Sequence, residues 1–317
     1  MADVRVILYS QQGECLEVSN IKSIELDRDA DAPCDGLRLT FYNDKPLGET
    51  VSAEVYMDSK KLFFGYVDVQ REELTPNGRA SFIYARSSAC ILTDIEARPT
   101  TLYYPSAKAI YKLYIEKYGF SFDIDDVYGK GQYTVSKGTS LFGVLNNFIF
   151  SVTGKNIYVT PDNEIKLFDR GEDLYLSGNP FYEKKTINRG NALAYINYKV
   201  ASADEYNRYY EDRKMSDKGI NHLVVKNFSN IPSWQIEKKL SEIMQKANSD
   251  YMTYEVRYYD FIYANLFDIA HFRLALDGIY AGADVVAVTY VFNDNGVQTR
   301  LRLKINNDSE EINYVDK

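Results

Sequence analysis

The first ninety-odd residues alternate apolar and polar side chains with a period of two. Leu37, Leu39 and Phe41 alternate with Arg38, Thr40 and Tyr42. Val51, Ala53, Val55 and Met57 alternate with Ser52, Glu54 and Tyr56, and Ala80, Phe82 and Tyr84 alternate with smaller or branched residues. Successive side chains of a strand point to opposite faces, so each run predicts a strand with one buried face. Turn formers separate the runs: Asn43-Asp44-Lys45-Pro46, Asp58-Ser59 and Thr75-Pro76-Asn77-Gly78. Short strands at this spacing predict a barrel or sandwich rather than a βαβ sheet.

The period changes near Leu92. After Pro105-Ser106, residues Ile110, Leu113, Tyr114 and Tyr118 share one helical face that Gly119 closes, with Ser106 as N-cap. A second helix follows Thr139-Ser140, with Leu141, Val144, Leu145 and Phe148 at helical spacing. Residues 157–160 and 165–168 then flank Pro161-Asp162-Asn163 as a hairpin. A small mixed domain over residues 94–184 is expected.

Strand character returns over residues 194–200 and 223–228. Between them residues 204–217 are rich in charge and tyrosine and read as an exposed loop. Pro232-Ser233-Trp234 opens a third helix with Ile236, Leu240, Ile243, Met244 and Ala247 on one face. Strands are expected over 253–259, 271–276, 285–292 and 297–305. Asn293-Asp294-Asn295-Gly296 joins the last two, because Asn-Gly supplies the positive φ angles of a primed hairpin turn. The polar residues 306–317 form a tail expected to fray.

Composition adds modestly to this picture. Of 317 residues, 45% are hydrophobic and 26% charged, enough for a core of ordinary size without disulfides or metal. The 28 Tyr and 16 Phe against one Trp favour sheets with large half-wet contact surfaces. A net charge of -8 argues against a non-specific nucleic-acid binder, which needs clustered Lys and Arg. No apolar run spans a bilayer, and the first residues carry no signal-peptide profile. Cys15, Cys34 and Cys90 form no CxxC pair and read as free thiols in a reducing compartment.

Candidate chemistry is sparse. His222 and His271 fall in different strands, and no HExxH, GxSxG or zinc spacing occurs. Gly129-Lys130-Gly131 and Ser136-Lys137-Gly138-Thr139 lack the full phosphate-loop pattern. Asp123-Ile124-Asp125-Asp126 lacks the remaining ligands and the glycine of an EF-hand and reads as a solvated acidic loop. Arg300, Arg302 and Lys304 alternate with Leu301, Leu303 and Ile305, so three cations share one sheet face. They form either a solvated face that discourages edge pairing or a docking or channel surface.

One resemblance connects these features. Lys61-Leu62-Phe63-Phe64-Gly65-Tyr66-Val67-Asp68-Val69, then Ala80-Ser81-Phe82-Ile83-Tyr84-Ala85-Arg86, then Ile91-Leu92-Thr93-Asp94, resembles the baseplate hub family of phage-type contractile tails. That family includes the late control protein D group and the hubs of phage-derived bacteriocins. Gly138-Thr139-Ser140-Leu141-Phe142-Gly143-Val144-Leu145 is similar to the family's helix before a hairpin, and Asp277-Gly278-Ile279-Tyr280 before two long strands to its second barrel. The motif positions so marked are Phe64, Gly65, Val67, Arg86, Leu92, Asp94, Gly278 and Tyr280.

The resemblance implies a β-rich α+β fold: barrel-like tube domains at 1–93 and 185–317 flanking the mixed domain. It implies a homotrimeric ring that adapts a hexameric tail tube to a trimeric central spike. Tail tube, spike and other baseplate proteins would be the partners. DNA would pass through the lumen, with no other nucleic-acid binding and no membrane insertion. Assembly in the bacterial host cytoplasm and residence in the tail baseplate follow. No enzymatic turnover and no cofactor are expected. Residues 204–217 match nothing in the family, and a chain stopping at Lys317 without repeats leaves any β-helical spike to a separate chain. The competing reading is a tail-associated protein that binds or hydrolyses cell wall, for which a single Trp is a poor sugar platform.

Overall fold

A computed structural model describes residues 3–304 and 313–314, apart from 77, 170, 202–204, 230–232 and 277–278. The alternating runs of the N-terminal end fold as β1 (Val4–Ser10), β2 (Cys15–Glu17), β3 (Ile21–Asp29), β4 (Gly36–Asn43), β5 (Thr50–Met57), β6 (Lys60–Thr75) and β7 (Gly78–Ser87). They pair antiparallel in the order β2-β1-β5-β6-β7-β4-β3. Asp58 and Ser59 join β5 to β6 with φ of 46° and 72°, the left-handed pair that a two-residue hairpin needs to follow the strand twist.

The middle segment contains α1 (Ala89–Asp94), β8 (Thr100–Tyr103), α2 (Ala107–Tyr114), a 3-10 turn (Glu116–Tyr118), β9 (Ser121–Phe122), β10 (Gln132–Val135), α3 (Leu141–Thr153), β11 (Ile157–Val159) and β12 (Glu164–Leu167). Ser106 Oγ accepts from Ala109 N and Ser140 Oγ from Gly143 N, at 3.2 and 3.1 Å. Each such cap stabilises its helix by about 1 kcal/mol. Gly119 and Gly154 end the turns at positive φ, as a left-handed cap requires. Ile110, Val144, Leu145, Phe148, Ile149 and Ile165 form the centre of a separate core.

The remainder contains β13 (Asp173–Tyr175), β14 (Tyr182–Ile187), β15 (Tyr195–Val200), β16 (Arg208–Glu211), α4 (Arg213–Asp217), β17 (Leu223–Phe228), α5 (Ser233–Asn248), β18 (Met252–Tyr258), β19 (Ile269–Leu274), β20 (Ile279–Asn293), β21 (Gly296–Lys304) and β22 (Asn313–Tyr314). Strands β16-β15-β17 make a small sheet of their own. The apolar face of α5, through Ile236, Leu240 and Met244, packs on Ile196, Val200 and Phe228.

Apart from β15, β16 and β17, the strands of the two ends belong to one 14-stranded sheet. Its main path runs β14-β18-β21-β20-β3-β4-β7-β6-β5-β1-β2. The join is β3 against β20, antiparallel from Ser23↔Asn293 to Asp29↔Ala287. One core lies behind it, in which Ile24, Leu26, Leu39 and Ile83 meet Tyr254, Tyr290, Phe292 and Leu301. Each such side chain contributes about 1.5–3 kcal/mol by leaving water.

Within this sheet the two halves repeat one strand plan in register. Strand β6 carries a bulge between Val67 and Val69, then pairs with β7 to Thr75↔Gly78. Strand β20 carries one between Val285 and Ala287, then pairs with β21 to Asn293↔Gly296. The separation along the chain stays constant from Val67/Val285 through the turn to Ala85/Leu303. Beyond them β4 matches β18, since Ile83↔Leu39 corresponds to Leu301↔Val256. Next, β3 matches β14, since Glu25↔Arg38 corresponds to Lys184↔Glu255. Even the supporting loops match. Leu47 N donates to Glu72 Oε1 at 2.9 Å, and Ala264 N donates to Tyr290 Oη at 3.0 Å.

The class is therefore the β-rich α+β fold expected, with four corrections. The sheet does not close into a barrel among the described residues, and its two ends share one core instead of two. Residues 205–217 are not a loop: β16 and α4 occupy most of them, because Tyr210 faces the α5 core and buried Met215 packs with Ala192, Ala194 and Ile220. On β7 the buried face is Ser81, Ile83 and Ala85 rather than the aromatic positions, since the sheet's other face accommodates Phe82 and Tyr84 beside cations at 5.6 and 5.8 Å. His222 lies just before β17, not within it. The tail read over 306–317 lies outside the described residues except for β22.

Candidate assembly surface

Eight strands, from β14 across to β6, form a belt with its core on one face and an alternating polar pattern on the other. Pleating fixes which residues share the polar face. On β21 these are Arg300, Arg302 and Lys304, and on β3 they are Glu25, Asp27 and Asp29. The cation stripe and the anion stripe are thus separated by one strand, β20. Arg302 Nη2 spans it to both oxygens of Asp29 at 3.0 Å, and Thr289 Oγ1 donates to Asp27 at 2.8 Å. Lys304 reaches Asp250 at 2.6 Å. Arg38 on β4 bonds both Glu25 and Asp27. The sequence places the three cations on one face, and the structure adds Asp29 of β3 and Asp250 as partners of Arg302 and Lys304. The Nε atoms of both Arg300 and Arg302 are buried without a hydrogen-bond partner among the described residues.

The marked motif positions gather where β6 and β7 meet α1. Arg86 donates to Asp68 at 2.6 and 3.1 Å and to Asp94 at 3.0 and 2.8 Å. These hydrogen bonds hold the Asp94 carboxyl below the ordinary carboxylate range. A side chain at Gly65 would put its Cβ 2.1 Å from the Arg86 carbonyl oxygen, so glycine lets the two backbones approach there. Phe64 stacks edge-on against Tyr66 at 5.7 Å. Val67 opens the bulge, and Leu92 is buried in the middle core. Of the two C-terminal positions, Tyr280 lies in β20 opposite Arg273, whereas Gly278 lies outside the described residues.

Polar clusters elsewhere tie the units together. Arg28 Nε lies 3.4 Å from Asp35, with side chains only 9% and 15% exposed. Burial pushes the Asp35 carboxyl up, against the pull of the Arg28 charge. Both line a cleft of about 920 Å³ with Phe142, Phe150, Tyr158 and Lys239. Glu54 accepts from Tyr9, Tyr56 and Lys61, and the Tyr9 hydroxyl is pushed up to about 12 mainly by that bond.

The histidines have structural partners: His271 bonds Asp173 at 2.8 Å, and His222 Nδ1 lies 2.9 Å from Ala192 O. In the acidic run, Asp123 pairs with Lys166 and Asp126 accepts from Lys108 N in the first turn of α2. No group of three metal-ligating side chains occurs among the described residues, and no described helix is long and apolar enough to cross a membrane.

Two of the sheet's strand edges bear on its polar belt. Strand β6 pairs with β5 only as far as Tyr66, so on that side residues 70–74 face no described strand. Strand β14 pairs with β18 on one side and with no described strand on the other. Sequence reading missed β14, whose exposed pattern of Lys, Glu and Tyr lacks an apolar face.

No protein-family model matches the chain, and no curated protein matches it. Solved structures do. The chain is similar to a tail protein from Neisseria meningitidis MC58, at 15% identity and TM-score 0.75, over 95% of this chain and 96% of that one. It is similar to the 43 kDa tail protein of prophage MuSo2 from Shewanella oneidensis, at 12% identity and TM-score 0.78, over 95% and 98%. The c3393 protein of E. coli, a type VI secretion component described as structurally similar to the T4 tail proteins gp27 and gp5, matches at 9% identity and TM-score 0.54, over 91% and 74%. The fold is of the phage-tail type.

Proposed function

We propose that this chain is the baseplate hub of a phage or phage-like tail, a structural protein without turnover. Three copies would form a ring between a hexameric tail tube and a trimeric central spike. The observation that carries this reading is the in-register repeat of one strand plan within the chain. A chain with two equivalent halves offers six similar positions per trimer, so one ring can present six-fold symmetry to one neighbour and three-fold symmetry to another. The tail-type fold supports the setting, a bacteriophage tail or a related injection system or bacteriocin. Its partners are then the tube, the spike and other baseplate proteins.

Mass photometry of the chain, alone and co-expressed with its neighbouring tube and spike proteins, tests the reading. Trimers in either condition are expected. Monomers in both overturn it.

The competing reading, a wall-binding or wall-cleaving tail protein, draws on Tyr103, Tyr104 and Tyr128, each at least 65% exposed on the middle unit. Exposed rings are what a sugar platform needs. Retention on purified peptidoglycan, or its cleavage, would favour that reading, and neither is expected of a hub.

A further inference from the structure

We propose that the cleft over the Arg28–Asp35 pair binds an extended peptide segment of a partner protein, holding a backbone amide between the two charges. The site goes beyond the hub reading and does not depend on it.

The pair is incomplete within the chain. Arg28 Nε lies 3.4 Å from Asp35, with side chains 9% and 15% exposed, yet this Nε makes no hydrogen bond. Outside that contact, no described residue accepts a hydrogen bond from the Arg28 guanidinium or donates one to the Asp35 carboxylate. A buried ion pair recovers the cost of leaving water only when its remaining donors and acceptors are bonded as well. Buried polar groups of folded proteins are nearly always satisfied in this way. The molecule's other arginine junctions obey the rule. Arg86 donates to both oxygens of Asp68 and of Asp94, and Arg302 to both oxygens of Asp29.

The surroundings indicate what completes the pair. The cleft of about 920 Å³ runs between the β3–β4 loop, the α3–β11 segment and α5, and junctions between packed units favour ligand sites. A second cleft of about 540 Å³ adjoins it, with Arg28, Tyr158, Phe168 and Leu266 lining both. Arg28 therefore sits where two clefts meet, a shape that suits an extended chain better than a compact ligand.

Charge balance disfavours an anion. Lys239 is held by Glu242 at 2.7 Å, and Asp31 lies 3.8 and 3.9 Å from Arg302 and Lys304. In the second cleft Lys61 pairs with Asp162 and Lys166 with Glu164. Lys246 is the one cation of the first cleft without a described partner, and it is exposed. An anion bound at Arg28 would also meet the Asp35 carboxylate, a like charge at close range.

A peptide group avoids that conflict. Arg28 is all donor and Asp35 all acceptor, and a peptide group offers a carbonyl to one and an N–H to the other without carrying charge. Phe142, Phe150 and Tyr158 on the same walls provide apolar contacts for the segment's side chains. Phe150 is 36% exposed there, a ring that the chain's own core leaves partly uncovered.

The test is saturation-transfer NMR on the full chain, with N-acetylphenylalaninamide as the probe because it joins amides to a ring. Saturation of its ring and acetyl protons is expected, with a dissociation constant on the order of 1 mM for so small a ligand. Two variants locate the binding. Ala32→Trp places a bulky ring at an exposed position of the cleft wall and should weaken binding about tenfold. Arg28→Met with Asp35→Leu replaces the pair by apolar side chains, an exchange that buried ion pairs often tolerate. It too should weaken binding about tenfold. If circular dichroism shows that the double variant does not fold, Ala32→Trp alone decides.

Absence of saturation overturns the site, as does binding that either folded variant leaves unchanged. Phenylpropanoate binding more tightly than the amide makes the cleft an anion pocket and overturns its assignment to peptide. None of these outcomes touches the oligomeric state, on which the hub reading is tested separately.

Discussion

Strands β6 and β20 follow the same path, with a bulge at the same place and a two-residue turn at the same end, yet their outer edges have opposite surroundings. Beside β20, Tyr290 and Phe292 pack against Leu26 and Ile24 of β3 and are almost wholly buried. Beside β6, the corresponding Leu74 faces water, and Glu72 turns its carboxylate to Leu47 N and Arg79. Backbone geometry does not distinguish the two strands; side-chain character does. Apolar residues at alternate positions leave water only if a second strand covers them, which forces that joint to form as the chain folds. A charged Glu72 in place of buried Tyr290 removes that requirement, so the β6 edge can stay open even though Leu74 is apolar.

The comparison breaks most sharply at the last inward position. Phe292→Ala should cost about 3–5 kcal/mol in urea unfolding, as truncation of a buried aromatic does. Leu74→Ala, its counterpart, should stay within about 0.5 kcal/mol in the isolated chain. Equal losses would mean that the β6 edge is covered within the monomer.

A second contrast lies before the bulges, where Gly65 corresponds to Ala283. The Cβ of Gly65→Ala would clash with the Arg86 carbonyl, so the variant should lose about 1–3 kcal/mol from overpacking. The reverse change, Ala283→Gly, should cost only about 0.5–1 kcal/mol from backbone freedom. Thermal unfolding of the two variants separates them.

The Arg86 junction has no counterpart among the described residues of the second half, and it should matter less. Its carboxylates are substantially exposed, so Arg86→Ala should cost about 1 kcal/mol or less near neutral pH. Its pH signature is more telling. The folded Asp94 carboxyl is held below its unfolded value of about 3.9, so its contribution is present above that pH. The contribution is lost as pH falls through the folded value. Acid unfolding of Arg86→Ala should consequently show a shallower loss of stability below about pH 4 than the parent. Smallest of all, Lys184→Ala on the exposed β14 should lie within about 0.5 kcal/mol of parent stability.

Much of this was legible beforehand. The hairpin at Asn293-Asp294-Asn295-Gly296, the Ser106 and Ser140 caps and the apolar face of α5 follow from local rules, because each depends on residues within a few positions of one another; the turn itself is not the primed type expected, since of its four residues only Gly296 has a positive φ, 101°. The β7 face was misassigned because period two shows that two faces exist without showing which is buried, and Tyr and Phe tolerate both. Residues 205–217 were misread for a similar reason: short polar elements gain their order from distant partners, here the core beneath α5. The Arg300, Arg302 and Lys304 face was legible, but Asp29 and Asp250, which balance it, lie far away in sequence.

By itself the sequence determined that both ends are strands, that helices sit between them, and that no familiar catalytic or metal-binding pattern is present. Periodicity, caps and turns are local, and free energies of about 1 kcal/mol per feature suffice to set them. Only the tertiary structure decided that β3 joins β20, that the two ends share one core, and that β6 and β14 remain open with opposite charges. Those outcomes depend on which strands meet across more than two hundred residues, and strand pairing of that kind is chosen by the burial of whole faces rather than by any local signal.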